Sequence, residues 1–208
     1  MVNLIKHPLL THKLAILRRK ETQTKEFRET LKEIAALMVY EITRDLPTKE
    51  VTIETPLETC LTEELAAEIT LVPVLRAGLG MVEGISALIP TARIGHIGMY
   101  RDHNTLKPVA YYSKFPPNMS DSIVMVLDPM LATGGSSSDA IKILKDNGAG
   151  IIKLVCIVGS PEGVEHVSKD HPDIQIYLAG LDENLNQNGY IVPGLGDAGD
   201  RLFGTQEE

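Results

Sequence analysis

Tryptophan is missing from this 208-residue chain, aromatic residues make up only 4% of it, and cysteine is confined to Cys60 and Cys156. Cys60 sits in a polar stretch and Cys156 inside the apolar run Ile151–Val158, with no partner spacing for a zinc or iron–sulfur site. Both therefore read as structural or incidental thiols, and no disulfide is expected. No apolar run approaches the roughly 18 residues a membrane span requires. The opening MVNLIKHPLL turns charged too soon for a signal peptide, so the expectation is a cytoplasmic protein with no membrane partner. Basic charge is scarce too: 20 Lys and Arg face 28 Asp and Glu, a formal net charge of −8. That balance argues against nonspecific nucleic-acid binding, which leaves a basic footprint. It leaves room for an anionic small molecule, because a few cations and N–H groups can reverse the potential in one cleft. What is present is 43% hydrophobic residues and length for one domain, residues 1–208, with a proper core.

The most informative stretch is Ser122–Leu144, SIVMVLDPMLATGGSSSDAIKIL. Ser122–Leu127 is short, apolar and β-branched, as a buried strand should be, and Asp128 closes it. Ala132, Thr133, Gly134, Gly135 and three serines follow, and then Ala140, Ile141 and Leu144 recur at helical spacing. Two adjacent glycines allow torsions closed to other residues, so successive N–H groups can turn inward as an anion nest. The helix adds its unpaired first-turn N–H groups, and Thr133 and Ser136–Ser138 offer hydroxyls and a choice of N-cap. The loop has no lysine and does not read G-x-G-x-x-G, which excludes a Walker loop and a dinucleotide fingerprint. A carboxylate at the strand end beside a nest suits a sugar phosphate, with Asp128 accepting from ribose hydroxyls. Read alone, the glycines could also form an ordinary strand-to-helix connection, the less favoured alternative.

The rest of the chain repeats that architecture. His7-Pro8 opens a helix with Leu9, Leu10, Leu14 and Leu17 near one face, and a longer one carries Phe27, Leu31, Ile34, Met38 and Ile42. Together they form a helical arm, residues 1–46, whose stripe could bury against its own domain or a second subunit. Lys49–Glu54 alternates like an edge strand, and 57–69 reads as a polar connection or short helix. Ile69–Leu75 is a second apolar strand in which Pro73 argues for an edge or irregular position. It runs into Arg76-Ala77-Gly78-Leu79-Gly80, where the glycines would admit a ligand to the backbone and Arg76 could clamp phosphate oxygens or pair with a neighbouring helix. A helix with Met81, Val82, Ile85 and Leu88 then runs to Pro90. Ile94–Tyr100 is a strand followed by Arg101, a second candidate clamp, and a long polar, proline-punctuated excursion to Ser120. Residues 101–120 are expected to form a lid, with Val109–Lys114 pairing back as a hairpin arm.

Asn147-Gly148 caps the central helix, Ile151–Val158 is another strand, Ser160-Pro161 launches a short helix, and Ile174–Ala179 is a further strand. Strands alternating with helices imply an α/β fold, a parallel β-sheet flanked by helices. The tail, 189–208, is too glycine-rich for a core helix or strand and too apolar for a frayed end. Its backbone groups could match the edge of a flat base.

LVPVLRAGLGMVEG (Leu71–Gly84), LDPMLATGGS (Leu127–Ser136) and GYIVPGLGDAGDRLFGT (Gly189–Thr205) resemble the uracil phosphoribosyltransferases of the type I phosphoribosyltransferase superfamily, over nearly the whole chain. The resemblance implies transfer of a 5-phosphoribosyl group from 5-phosphoribosyl 1-diphosphate (PRPP) to uracil, giving UMP and diphosphate, with Mg2+ as cofactor. It assigns PRPP to Arg76, Arg101, Asp128, Pro129, Met130, Leu131, Ala132, Thr133, Gly134, Gly135, Ser136 and Asp197. Uracil falls to Ile191, Gly196, Asp197 and Ala198, chiefly through main-chain atoms. Asp128 and Arg101 would stabilise the transition state and leaving group, and Asp197 is the candidate metal ligand. Most superfamily members end the central strand with two acidic residues; here Pro129 follows Asp128, a feature of the uracil branch that speaks against direct metal ligation there. The resemblance further implies a homodimer or larger homo-oligomer and, as in some relatives, activation by GTP. Two other readings are a phosphoribosyltransferase-like regulator that binds RNA, which the acidic balance disfavours, and an enzyme for another base, from which the tail distinguishes it by resemblance only.

Overall fold

Our computed structural model describes residues 1–101 and 108–205, leaving out the side chains of Arg101 and Pro108. In chain order come β1 (Val2–Leu4), α1 (Pro8–Arg18), α2 (Thr24–Ile42), β2 (Thr48–Glu54), β3 (Thr59–Leu65), β4 (Glu68–Leu75), α3 (Leu79–Ser86), β5 (Arg93–Ile94), β6 (His96–Arg101) and β7 (Pro108–Lys114). Then follow β8 (Ser122–Leu127), β9 (Met130–Leu131), α4 (Gly135–Asp146), β10 (Ile151–Gly159), α5 (Pro161–Asp170), β11 (Gln175–Leu181), β12 (Asn184–Leu185), β13 (Ile191–Val192) and α6 (Ala198–Phe203). The main sheet runs β1-β11-β10-β8-β4-β6-β7, parallel throughout except for β7, which turns back antiparallel on β6 as the hairpin reading expects.

Period-two alternation in the central strands feeds two cores. Leu71, Met125, Leu127, Val155, Ile157 and Tyr177 face α1, α2, α3 and α6; Val72, Val74, Val124, Val126, Leu154 and Ile176 face α4 and α5. The α2 stripe of Phe27, Leu31, Ile34, Met38 and Ile42 is fully buried in the first core, so it packs on its own domain. Each such side chain contributes about 1.5–3 kcal/mol of burial, which is why an amphipathic stripe of this length holds the arm to the sheet. In α1, Leu10, Leu14 and Leu17 are buried and Leu9 is exposed.

Four local expectations are corrected. Pro73 lies in an interior strand and not at an edge, though at an irregular position, the other alternative the sequence offered. Opposite it, between Ile94 and His96, the neighbouring strand is interrupted at Gly95, whose N–H bonds the Leu71 carbonyl at 2.9 Å, so the ladder is broken where proline offers no donor. Ile94–Tyr100 is accordingly two strands, β5 and β6. Residues 59–65 form β3, paired antiparallel with β2 as a hairpin outside the main sheet; its charged outward residues hid the alternation. The tail does contain regular structure, β13, which pairs with β12 just ahead of the tail, and α6, in which Ala198, Gly199 and Leu202 are buried.

Candidate active site

The loop predicted to hold phosphate leaves the C-terminal end of β8. Asp128 N–H bonds the Val155 carbonyl at 3.1 Å, the chain crosses to β9 beside β10, and α4 begins at Gly135. Gly134 is the N-cap in the left-handed region, φ 82°, where a Cβ would be strained and would also meet the Gly163 carbonyl at 2.8 Å. Gly135 has ordinary negative φ, and no serine caps the helix, so one glycine does the work expected of two. The first α4 bond is Ser138 N–H to the Gly134 carbonyl, 2.8 Å. Among the described residues, no acceptor takes the N–H groups of residues 132–137. Thr133 and Ser136 are exposed at the mouth; Ser137 and Ser138 are buried and turn to Asp128 and Asp170.

Asp128 is half-buried behind this row of donors. Its carboxylate accepts from Met130 N–H at 3.2 Å and from Ser137 Oγ at 3.4 Å. Burial pushes its pKa up to about 6, outweighing the two hydrogen bonds that favour the anion. The Cys156 thiol, buried nearby, is pushed up as well, by burial and by the Asp128 charge.

Arg76 stands at the end of β4, after a cis Leu75–Arg76 peptide. Its guanidinium reaches Asp200 Oδ1 at 3.1 Å and Thr205 Oγ1 at 3.2 Å and lies over the Phe203 ring, 5.8 Å from its centroid. Here it therefore pairs with α6, as the bland alternative allowed, though it stays more than half exposed. Gly78 and Gly80 serve packing and not ligand access. A Cβ at Gly78 would meet the Leu127 carbonyl at 2.2 Å, and one at Gly80 would meet Leu31 at 2.6 Å and Leu202 at 2.9 Å. That close approach sets the Arg76 loop against the end of β8, next to Asp128. Gly199 does the same from the tail: a Cβ there would sit 3.2 Å from Asp197 Oδ1 and 3.7 Å from Arg76 Nη2. Arg76, Asp197 and the β8 end thus converge.

The tail turns sharply through a cis Val192–Pro193 bond, Gly194 (φ 58°) and Gly196 (φ 77°). Ile191 and Ala198 are buried, Gly196 and Asp197 exposed. Asp197 is the N-cap of α6, accepting from Asp200 N–H at 2.9 Å. Sequence reasoning gave no role to the arginines that hold this segment. Arg18 grips Asp182 with two bonds, 2.7 and 2.6 Å, and donates to the Gly194 carbonyl at 2.8 Å. Arg201 donates to the carbonyls of Leu17, Leu195 and Arg19 and stacks on Phe27, 4.5 Å from the ring centroid. Partners so distant in sequence left no local signal.

Arg101 ends β6 opposite Pro108. The lid expectation rests in part on residues 102–107, which with the Arg101 side chain lie outside the described residues. Among the described residues no group of three or more His, Cys, Asp or Glu is placed to hold a metal. A cavity of about 1020 Å³ between β1 and α2, lined by Leu4, Ile5, Tyr40, Arg44 and Tyr177 among others, touches none of the predicted site residues.

The family model described as Uracil phosphoribosyltransferase matches residues 4–205. A curated uracil phosphoribosyltransferase of Acholeplasma laidlawii is 57% identical over 202 residues, 97% of each chain. A solved protein of Aquifex aeolicus is 36% identical with a TM-score of 0.95 over 100% of both chains. An adenine phosphoribosyl transferase of Trypanosoma brucei, solved with AMP, pyrophosphate and ribose-5-phosphate, has a TM-score of 0.59 at 11% identity, covering 86% of this chain and 82% of that one, a likeness of fold alone. With matches of this extent behind the converging loops, the chain belongs to the uracil phosphoribosyltransferase family.

Proposed function

We infer that this chain catalyses transfer of the 5-phosphoribosyl group from PRPP to uracil, yielding UMP and diphosphate, a salvage reaction. The family membership carries the reaction, and the row of N–H groups at 132–137 beside Asp128 carries the site assignment. The nest at Ala132–Ser136 receives the 5-phosphate, with the positive end of α4 and the Thr133 and Ser136 hydroxyls adding donors. Asp128, at the strand end, accepts from the ribose hydroxyls. Departure of diphosphate leaves positive charge on the ribose ring, so no protein nucleophile is needed and the carboxylate sits where that charge develops. Arg76 takes the leaving diphosphate in exchange for Asp200, with Arg101 as a second clamp. Main-chain groups at Ile191, Gly196, Asp197 and Ala198 face uracil and favour loss of its N1 proton, and a lid over 101–120 excludes water as a rival nucleophile.

Mg2+ fits this site as an ion carried by the diphosphate. It keeps water and phosphate ligands and needs only one or two carboxylates, and Asp197, exposed at the start of α6, offers one. Bound there, it would neutralise charge on the leaving group; Asp197, whose Oδ1 caps α6, is the side chain that would hold it.

The same reading makes the protein a homo-oligomer in the cytoplasm. Among the described residues the β2–β3 hairpin makes no substantial contact with another element, and it exposes Ile53, Leu57, Leu61 and Leu65. An isolated two-stranded hairpin is marginal in water, so a second copy covering it is the natural support. GTP activation comes from the family resemblance alone, and a GTP titration of the initial rate tests it.

The deciding experiment is diphosphate release with uracil, cytosine, adenine and hypoxanthine in parallel, followed by the structure of the UMP complex. Turnover with uracil alone and a UMP phosphate on the Thr133–Ser136 amides are expected. Preference for another base overturns the substrate, and a phosphate bound elsewhere overturns the site.

A further inference from the structure

Three successive carbonyls of the phosphate loop are held from behind by α5 and its cap. The Leu131 carbonyl accepts from Ser160 N–H at 3.0 Å, the Ala132 carbonyl from Ser160 Oγ at 2.6 Å, and the Thr133 carbonyl from His166 Nδ1 at 2.7 Å. A trans peptide is planar, and its C=O and N–H point opposite ways. Tying back the carbonyls of residues 131, 132 and 133 therefore turns the N–H groups of Ala132, Thr133 and Gly134 outward, away from α5, where no described residue accepts them. The nest is concave because a helix behind it pulls on its carbonyls.

Ser160 belongs to the fold: it caps α5 through Gly163 N–H at 3.0 Å and is wholly buried. His166 is different. It lies in the second turn of α5 with a side chain 43% exposed, yet it is committed on both ring nitrogens. Nδ1 faces a carbonyl, which only accepts, so Nδ1 carries hydrogen. Nε2 lies 3.2 Å from Asp170 Oδ2, and that oxygen accepts from Ser138 Oγ at 2.8 Å. A chain of contacts thus runs from Thr133, where the loop enters the nest, through His166 and Asp170 to Ser138, in the first turn of α4. Gly134 lies against the ring: a Cβ there would come within 3.1 Å of His166 Cβ.

We propose that His166 is a positioning residue for the sugar phosphate, holding the Thr133–Gly134 peptide so that the Gly134 N–H points at the 5-phosphate. The proposal rests on the assignment of Ala132–Ser136 to that phosphate. His166 itself touches no substrate atom; its effect is on the affinity for the phosphorylated sugar and not on the base or the chemical step.

The test uses the full chain, with ribose 5-phosphate as a calorimetric probe and initial rates varied in PRPP and in uracil. Four variants are compared: His166→Leu, His166→Asn, His166→Gln and Gly134→Ala. The Asn amide nitrogen takes the place of Nδ1, whereas the Gln amide falls near Nε2, beyond the Thr133 carbonyl. His166→Leu and His166→Gln are expected to bind ribose 5-phosphate about tenfold more weakly, the worth of about 1.4 kcal/mol, and to raise KM for PRPP by a similar factor. KM for uracil and kcat should stay within about twofold, and His166→Asn should recover most of the binding, since one hydrogen bond is at stake. If Leu does not fold, the Asn and Gln pair decides: equal binding by the two overturns the proposal. Binding kept in His166→Leu but lost in Gly134→Ala also overturns it while sparing the loop assignment. Binding unchanged in Gly134→Ala overturns the assignment and the proposal with it. A common rise in both KM values with a lowered Tm in all three His166 variants would make the ring packing only, and also overturns it.

Discussion

Replacing Asp128 by Asn should give a protein that is more stable and nearly inactive, and the carboxyl's surroundings set the size of the first effect. Its pKa stands at about 6 against an ordinary 3.8, with burial the main cause and the bonds from Met130 N–H and Ser137 opposing it. An acid whose pKa is raised by folding holds its proton more tightly in the folded state. Stability therefore falls as pH rises from 3.8 to about 6, and the deficit is complete above that window. At 1.36 kcal/mol per pH unit the gap corresponds to about 3 kcal/mol, and since the carboxyl is only half-buried a gain of about 1–3 kcal/mol is expected. Asn keeps the geometry, because its Oδ1 can still accept from Met130 N–H and its Nδ2 can donate to Ser137 Oγ. Urea titrations of the two proteins should separate at pH 8 and nearly coincide at pH 4; in Tm the gain at pH 8 is about 2–4 °C per kcal/mol for a chain of this size. A variant less stable than the parent at pH 8, or a difference that ignores pH, refutes the reasoning.

Activity should move the other way. Only the ionised carboxylate is purely an acceptor for ribose hydroxyls and a negative charge beside the developing cation. In the parent, kcat/KM for PRPP should fall as pH drops through about 6, where Asp128 takes up its proton. The substrate's phosphates titrate near 6 as well, so the Asn variant is the control. Its profile retains the substrate's limb and lacks the enzyme's, on a rate lowered about 100-fold or more, the scale of one electrostatic group at a reacting centre. Rates within about threefold of the parent at pH 8 would remove Asp128 from the reaction.

Three further outcomes follow from contacts described above. Gly163→Ala places a Cβ 2.3 Å from the Ala132 carbonyl and 2.7 Å from that of Leu131; backbone must shift, at about 1–3 kcal/mol, and ribose 5-phosphate titration should show weakened binding, whereas unaltered affinity would mean that the loop does not lean on α5. Arg201→Met strands the carbonyls of Leu17, Leu195 and Arg19 and should cost about 2–4 kcal/mol in chemical denaturation, with KM rising more for uracil than for PRPP; the reverse split would detach the tail from the base. Leu61→Asp, at a side chain 72% exposed on the unsupported hairpin, should lower the mass seen by light scattering at micromolar concentration while leaving the monomer folded; an unchanged mass means that no second copy rests there.

How much of this could be read from the sequence depended on how local the determinants are. The strands of the central sheet were legible because β-branched runs of Ile and Val bounded by Gly and Asp admit little else, and the strand–loop–helix order around Asp128 and Gly134 was legible because it lies within one short segment. Pro73 misled because its tolerance depends on a break in the neighbouring strand at Gly95, which only pairing reveals. Residues 59–65 hid their alternation behind Glu63 and Glu64, since neither face of β3 is buried in this chain. Gly78 and Gly80 looked like openings for a ligand, and in the structure they are places where the loop presses on Leu127 and Leu202. Arg18, Lys153 and Arg201 escaped notice for the same reason. Lys153 is 3% exposed within a core strand, donating to the Ile42 carbonyl at 2.7 Å and to Asp45, and nothing near it in sequence announces the partner.

The Arg76 contact shows why a pairing that looks structural is compatible with a role in binding. Its bridge to Asp200 is long at 3.1 Å, single, and 55% exposed on the arginine side. Such pairs are worth about 0–1 kcal/mol, so exchanging the carboxylate for a diphosphate would cost little, while the multiply charged ligand would return shorter, charge-assisted bonds worth about 1.5–3 kcal/mol each. Until then, Asp200 and Thr205 hold the guanidinium beside Gly199, close to Asp197. On the proposed reading the arginine would thereby be kept near its place of use, and since its resting partner lies on α6, release of Arg76 and settling of the tail would be events at one junction. Diphosphate and uracil would meet the same few residues from opposite sides. A site built as proposed would draw its affinity from the backbone of the nest and keep its exchangeable charge for the leaving group.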